Sequence, residues 1–134
     1  MYCTETQIRV RYGETDRMGY LYYGRYPEYF EVARTDMIRS LGMSYKQIED
    51  SGIIMPVRSL KVDFRFPAQY DDILRVKSCL ISLPEIKLDI EYTVYNQEDR
   101  LICTGNTILA FVDIKTHRPK RAPAFFLDAV SKYF

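Results

Sequence analysis

Tyr22, Tyr26, Tyr29, Phe30, Ala33, Met37 and Leu41 recur at three- and four-residue steps, the apolar stripe of one long amphipathic helix. Pro27 is tolerated only in the first turn of a helix, which sets the start close to Gly24. Glu28 and Glu31 near that start, with Arg34 and Arg39 later, match the helix dipole, and Gly42 is a natural stop. The spacing predicts a helix of about four to five turns. A helix with one apolar stripe must bury it against another layer, and the rest of the chain offers a sheet.

Gln7 to Tyr12 alternates Ile8, Val10 and Tyr12 with Gln7, Arg9 and Arg11, the period of a first strand. Gly13 to Tyr23 loses that period and reads as an ordered loop carrying Glu14, Asp16 and Arg17. Ser44 followed by Gln47 makes a capping-box pattern for a short second helix ending at Gly52. Strands follow. Leu60, Val62, Phe64 and Phe66 alternate with Lys61, Asp63 and Arg65; Leu74, Val76 and Leu80 alternate with Arg75 and Lys77. Ile86, Leu88, Ile90, Tyr92 and Val94 repeat the pattern. The last strand, Leu101 to Ile114, is largely apolar on both faces, which puts it at the centre of the sheet or against a second subunit. Pro123 permits a C-terminal helix bearing Phe126, Val130 and Phe134. The order is strand, long helix, short helix, then four long strands joined as an antiparallel meander. That predicts an α+β fold, one apolar helix on one curled sheet, in a single domain over residues 1–134.

Composition removes several classes of function. Nineteen Lys and Arg nearly balance 18 Asp and Glu, so no basic field recommends nucleic acid or an anionic membrane as partner; a small anionic ligand remains open. The N-terminus has no apolar signal region, and the aliphatic run Ile108 to Val112 is far below membrane-spanning length, so a soluble, unsecreted chain is expected. Cys3, Cys79 and Cys103 are odd in number and widely spaced, which favours reduced thiols in the cytoplasm. The one histidine, His117, sits in a turn and forms no recognisable zinc set with them. There is no G-x-S-x-G elbow, P-loop or G-x-G-x-x-G, so serine hydrolysis, nucleotide phosphoryl transfer and dinucleotide redox chemistry lack their usual geometry. Carboxylates remain as the acid-base candidates.

Asp16 stands out among them because it precedes the helix by one extended loop, near the unpaired N–H groups of a helix start. A carboxylate beside a fixed N–H donor can attack, or activate water, while the donor holds a developing oxyanion. By its residues alone the loop favours a simpler role, an aspartate forming an Asx turn.

Arg11-Tyr12-Gly13-Glu14-Thr15-Asp16-Arg17-Met18-Gly19, then Tyr22 to Tyr26 and Tyr29-Phe30-Glu31-Val32-Ala33-Arg34, resembles the opening of the 4-hydroxybenzoyl-CoA thioesterase-like branch of the hot-dog superfamily. The resemblance continues through Gly42-Met43-Ser44-Tyr45, through Phe66-Pro67-Ala68-Gln69-Tyr70-Asp71-Asp72 and into the Arg118-Pro119 turn, covering nearly the whole chain. It implies a hot-dog fold, an antiparallel sheet of about five strands wrapped around one long central helix. It implies hydrolysis of an acyl-CoA, or of an acyl carrier protein thioester, to free acid and thiol without metal or organic cofactor.

By the same resemblance Asp16 is the catalytic carboxylate, as nucleophile or general base, and the Tyr23 backbone N–H is the oxyanion donor. Relatives often carry histidine at Tyr23, so an acid-base role does not transfer to its side chain. Gly19, Tyr20 and Tyr26 are implied on the substrate side. The group Tyr20, Tyr22, Tyr23, Tyr26 and Tyr29 walls an acyl slot or serves as core. Lys87, Arg118 and Lys120 resemble phosphate-contacting positions, with solvated surface charge as the alternative.

Glu28 and Glu31 are the competing carboxylates, since another hot-dog thioesterase layout carries its acid on the central helix. The helix dipole already explains acids in a first turn, and Glu31 is expected to pair with Arg34 or a nearby backbone group. Sites between protomers are implied, hence a homodimer or, through the doubly apolar last strand, a homotetramer. The rival reading is a non-catalytic acyl-CoA-binding or regulatory hot-dog protein, which has no need for Asp16 beside a thioester.

Overall fold

The computed structural model describes residues 1–134. The central helix α1, Tyr26–Ser40, is entered through a 3-10 turn at Tyr23–Arg25, so the helical path starts at Tyr23 and Pro27 falls within the first turn of α1. It buries Tyr26, Tyr29, Phe30, Ala33, Met37 and Ile38. Five antiparallel strands wrap it: β1 (Tyr2–Arg9), β3 (Val57–Phe64), β4 (Ile73–Leu80), β5 (Lys87–Tyr95) and β6 (Leu101–Ala110), in the spatial order β1-β4-β5-β6-β3. Two-residue strands β2 (Ile53–Ile54) and β7 (Val112–Asp113) pair beside the sheet. Helix α2, Tyr45–Asp50, begins on the expected capping box, the Gln47 N–H donating to Ser44 Oγ and the Ser44 N–H to Gln47 Oε1. Helix α3 is Ala124–Ser131.

The alternation in β4 and β5 does what its period requires: Leu74, Val76 and Leu80, with Leu88, Ile90, Tyr92 and Val94, are all buried. Phe30 of α1 stacks on Tyr92, ring centroids 4.2 Å apart and nearly parallel. Gly105 on β6 permits this, because a Cβ there would lie 2.5 Å from the Phe30 ring.

Several expectations are corrected. The first strand occupies Tyr2–Arg9, not Gln7–Tyr12, because all of it pairs in register with β4, from Tyr2 opposite Leu80 to Arg9 opposite Ile73. Tyr12–Glu14 forms a 3-10 turn instead. Only β4, β5 and β6 form a meander; β3 crosses the end of the sheet and pairs with β6, leaving β1 and β3 as the two edges. The strand expected over Leu101 to Ile114 stops at Ala110, where the chain turns aside so that β7 can pair with β2. Its core, β6, lies inside the sheet between β5 and β3. The C-terminal Phe134 is exposed, while Phe126 and Val130 are buried as expected.

Two side-chain expectations also fail. Arg34 does not pair with Glu31: it is 6% exposed, and its Nε donates to the Tyr45 hydroxyl at 2.8 Å. Cys3 and Cys79 are not free thiols. They face each other in the β1–β4 register, 4.1 Å apart at Cα, and are joined by a disulfide, whereas Cys103 is free and buried. A separation of 76 residues hides from the sequence what the strand register brings together. No helix is long and apolar enough to cross a membrane.

Candidate active site

The loop between β1 and α1 folds back on itself. Thr15 bridges Leu21 and the Asp16 N–H donates to the Tyr20 carbonyl at 2.8 Å, so residues 14–16 run antiparallel to 20–22. Gly19 closes the turn at a φ of 80°, a left-handed conformation that favours glycine, and its N–H donates to the Asp16 carbonyl. Asp16 caps this turn with one oxygen: Oδ1 accepts the N–H groups of Met18 at 2.9 Å and Tyr20 at 3.2 Å. The other oxygen, Oδ2, makes no hydrogen bond within the chain. The Asx-turn role therefore occupies one oxygen of the carboxylate and leaves the other free.

Asp16 lines a cavity of about 380 Å³ with Tyr20, Leu21, Tyr23 and Tyr26 on the loop and helix side. Phe64, Arg65, Phe66 and Pro67, at and just beyond the end of β3, supply the opposite side, and Met18 completes it. Tyr23 is the first residue of the 3-10 turn, and the first N–H of a helical path has no acceptor within it. The preceding N–H, of Tyr22, is already taken by the Glu14 carbonyl at 2.9 Å. Tyr23 is 66% exposed, and its ring leans on the Tyr22 ring.

Beneath the loop, Glu14 is a carboxylate only 5% exposed. Burial pushes its pKa up, but the Arg11 N–H, the Tyr29 hydroxyl and the Arg11 guanidinium outweigh this and hold it below the usual carboxylate value. Burial and then the Glu14 carboxylate push the Tyr29 hydroxyl far above the ordinary tyrosine range, so it stays protonated and donates.

Among the residues named from the sequence, Asp16, Tyr20, Tyr23 and Tyr26 are brought together around one cavity. Gly19 lines an adjoining hollow with Asp16, Arg17, Tyr12 and Tyr70. Tyr22 is outside the cavity, and Tyr29 is a core residue bonded to Glu14. Lys87 and Lys120 share a separate hollow of about 500 Å³ with Arg58 and Arg121, and Arg118 lies outside it. That hollow is at the far end of β3: Phe64 pairs with Cys103, while Val57 pairs with Leu109, roughly 20–25 Å along the strand. Reading by segments missed Phe64, Arg65, Phe66 and Pro67, whose place depends on the β3 crossover. Phe66 and Pro67 do fall in a stretch that carries the resemblance, which was the signal open to a sequence reading.

A five-stranded antiparallel sheet wrapped around one long helix, with an aromatic cavity where the loop before that helix meets the end of β3, is the hot-dog arrangement. Comparison with known proteins agrees. The chain belongs to the thioesterase-like superfamily, which matches residues 10–130, and it is a thioester hydrolase. It is similar to YneP of Bacillus subtilis (strain 168), 29% identical over 133 residues, which span 99% of this chain and 96% of that protein. It is similar to the acyl-CoA thioester hydrolase YbgC of Escherichia coli O6:H1, 28% identical over 116 residues, 87% of each chain. Among solved structures, DHNA-CoA thioesterase from Staphylococcus aureus superposes with a TM-score of 0.92 at 37% identity, over 99% of this chain and 91% of that one.

Proposed function

We propose that this single hot-dog domain hydrolyses an acyl-CoA to the free acid and CoA, with Asp16 as nucleophile or general base and the Tyr23 N–H as oxyanion donor. The observation that carries the reading is the free Oδ2 of Asp16 on the same cavity as the helix start at Tyr23. As general base, Asp16 takes a proton from water while the water oxygen bonds to the thioester carbonyl carbon. As nucleophile, it forms an acyl-carboxyl anhydride that water then cleaves. On either route the carbonyl oxygen gains charge and faces a fixed N–H, and the C–S bond breaks; the departing thiolate takes back the proton Asp16 removed from water on the first route and takes a proton from solvent on the second. Both require the carboxylate to be ionised. The aromatic walls Tyr20, Tyr23, Tyr26, Phe64 and Phe66 suit an apolar or aromatic acyl group.

The working unit in this reading is a homodimer. β3 is an edge strand whose Val57, Leu60 and Phe64 are about half exposed. Antiparallel pairing with the β3 of a second copy continues the sheet, covers these side chains and sets the Phe64 end of one strand beside the Val57 end of the other. Arg58, Lys87 and Lys120 of the second copy then approach the Asp16 cavity, where they can take the phosphates of the coenzyme. The expectation of a cytoplasmic protein loses one support, because two of its three cysteines are joined.

The test is thiol release from short-chain, long-chain and aromatic acyl-CoAs, DHNA-CoA among them, and from acyl carrier protein thioesters, comparing wild type with Asp16→Asn. Turnover that disappears in the variant while binding persists supports the reading. Equal turnover in both proteins refutes the role of Asp16. Tight binding with no hydrolysis of any thioester establishes the non-catalytic binder instead.

A further inference from the structure

Glu14 is the one buried carboxylate of the chain, and neither nucleophile nor oxyanion donor accounts for it. An ionised carboxylate out of water is costly unless donors surround it, so a glutamate here needs a reason. Its partners supply one. Oε1 accepts the Tyr29 hydroxyl at 2.7 Å and the Arg11 N–H at 2.9 Å, and the Arg11 guanidinium stands 3.4 Å from Oε2. Its backbone carbonyl accepts the Tyr22 N–H, the residue before Tyr23.

The bonds around the loop divide into three kinds. Asp16 to Tyr20, Met18 and Gly19 are internal and hold the shape of the turn. Leu21 N–H to the Ala68 carbonyl and Val10 N–H to the Asp72 carbonyl tie the loop to the connection after β3. The Tyr29–Glu14 bond is the side-chain tie to the body of α1, fifteen residues away in sequence and across a buried seam. Because the helical path of α1 begins at Tyr23, this tie sets the loop that carries Asp16 against the element that carries the oxyanion donor.

We infer that Glu14 is a positioning residue for hydrolysis: by accepting the Tyr29 hydroxyl it fixes the Asp16 carboxylate relative to the Tyr23 N–H. This rests on the reading of Asp16 and Tyr23 given above. An isosteric Glu14→Gln keeps the volume but puts an amide where a carboxylate collected three donors. Tyr29→Phe removes the same bond from the other side and serves where Glu14→Gln does not fold.

The experiment measures three things on wild type, the two single variants and the double variant: kcat on the best-cleaved acyl-CoA, affinity for its non-hydrolysable thioether analogue, and the backbone amide resonances of Met18, Tyr20 and Tyr23. A remote destabilised control, Ile90→Val, separates positioning from general loss of stability. The inference expects kcat to fall on the order of 10- to 100-fold in each single variant, the scale of a displacement of about 1 Å. Thioether affinity stays within about threefold, the three amides move, and the double variant loses no more than the worse single one, since both remove one bond. Ile90→Val keeps wild-type kcat.

Unmoved amides, unchanged kcat, or a kcat that falls only in proportion to thioether affinity overturns the inference while leaving the role of Asp16 intact. A wild type that hydrolyses no thioester, or an Asp16→Asn as active as wild type, overturns the hydrolytic reading first and this inference with it.

Discussion

The Met18 N–H reaches Asp16 Oδ1 at 2.9 Å and leaves Oδ2 as the unbonded oxygen of that carboxylate. Substitution can therefore separate the structural role of Oδ1 from the chemical role proposed for Oδ2. Asp16→Asn keeps an oxygen for the two amides, so the melting temperature should stay close to wild type while kcat falls by about 10²–10⁴, the range for removing a general base. Asp16→Ala should lose activity equally and also stability, by about 1–3 kcal/mol, because Met18 and Tyr20 lose their acceptor. Calorimetry beside thiol-release kinetics checks both.

The role proposed for Tyr23 rests on its backbone N–H and asks nothing of its exposed ring. Tyr23→Phe is expected to keep kcat within a few-fold. Tyr23→Pro removes the N–H at the first position of a helical path, where proline is tolerated, and should cost about 10²–10³ in kcat with the fold retained. Circular dichroism and steady-state kinetics distinguish this from unfolding.

The exposed apolar edge of β3 predicts a concentration-dependent assembly. Wild type should sediment at twice the chain mass, and Val57→Lys with Leu60→Lys should shift it to the monomer, since the first sets a charge against Phe64 of the second copy and the second sets a like charge against its Lys61. Activity should fall with the dimer, because in the proposed assembly each cavity draws Arg58, Lys87 and Lys120 from the other copy.

The cross-strand Cys3–Cys79 bond closes a separation of 76 residues. Chain-entropy arguments put its contribution on the order of 4 kcal/mol, so reduction, or Cys3→Ser with Cys79→Ser, should lower the melting temperature by about 10–20 °C. Cys103 should stay unreactive toward thiol reagents in the folded state, burial having pushed its pKa up to about 12.

Acid stability should bear the mark of Glu14. Its folded pKa is below the ordinary value of 4.5, so its contribution is complete above that value and is lost as pH falls through the lower folded value. Glu14→Gln should flatten the acid limb of a stability-against-pH curve. At neutral pH it should be less stable than wild type.

How far the sequence could be read follows from what kind of information each feature uses. The α1 stripe, the Ser44 cap and the alternation of β4 and β5 are local, and local periods are legible because each side chain reports its own face. Asp16 and Tyr23 lie seven residues apart on one continuous segment, and the resemblance pointed to both. The Cys3–Cys79 bond, the reach of β1 back to Tyr2 and the Phe64–Pro67 wall all depend on which strand lies beside which, and periodicity holds no pairing information. The role of Glu14 was hidden for a related reason. A glutamate between Gly13 and Thr15 reads as loop polarity until Tyr29 is seen beneath it.

The two margins of the sheet are unlike. β1 exposes Cys3, Glu5, Gln7 and Arg9, with Arg9 held to Asp71 and Glu5 to Arg75, while β3 exposes Val57, Leu60 and Phe64. A strand added at β3 meets three large apolar side chains beside the Lys61–Asp63 pair; β1 exposes no large apolar side chain, and a strand added there would disturb the Arg9–Asp71 and Glu5–Arg75 pairs without that gain. A sheet that is sticky along both margins grows without limit, the route to a fibril. In the proposed dimer, two copies facing one another along β3 consume the receptive margin of each, and elongation along that margin ends at the pair.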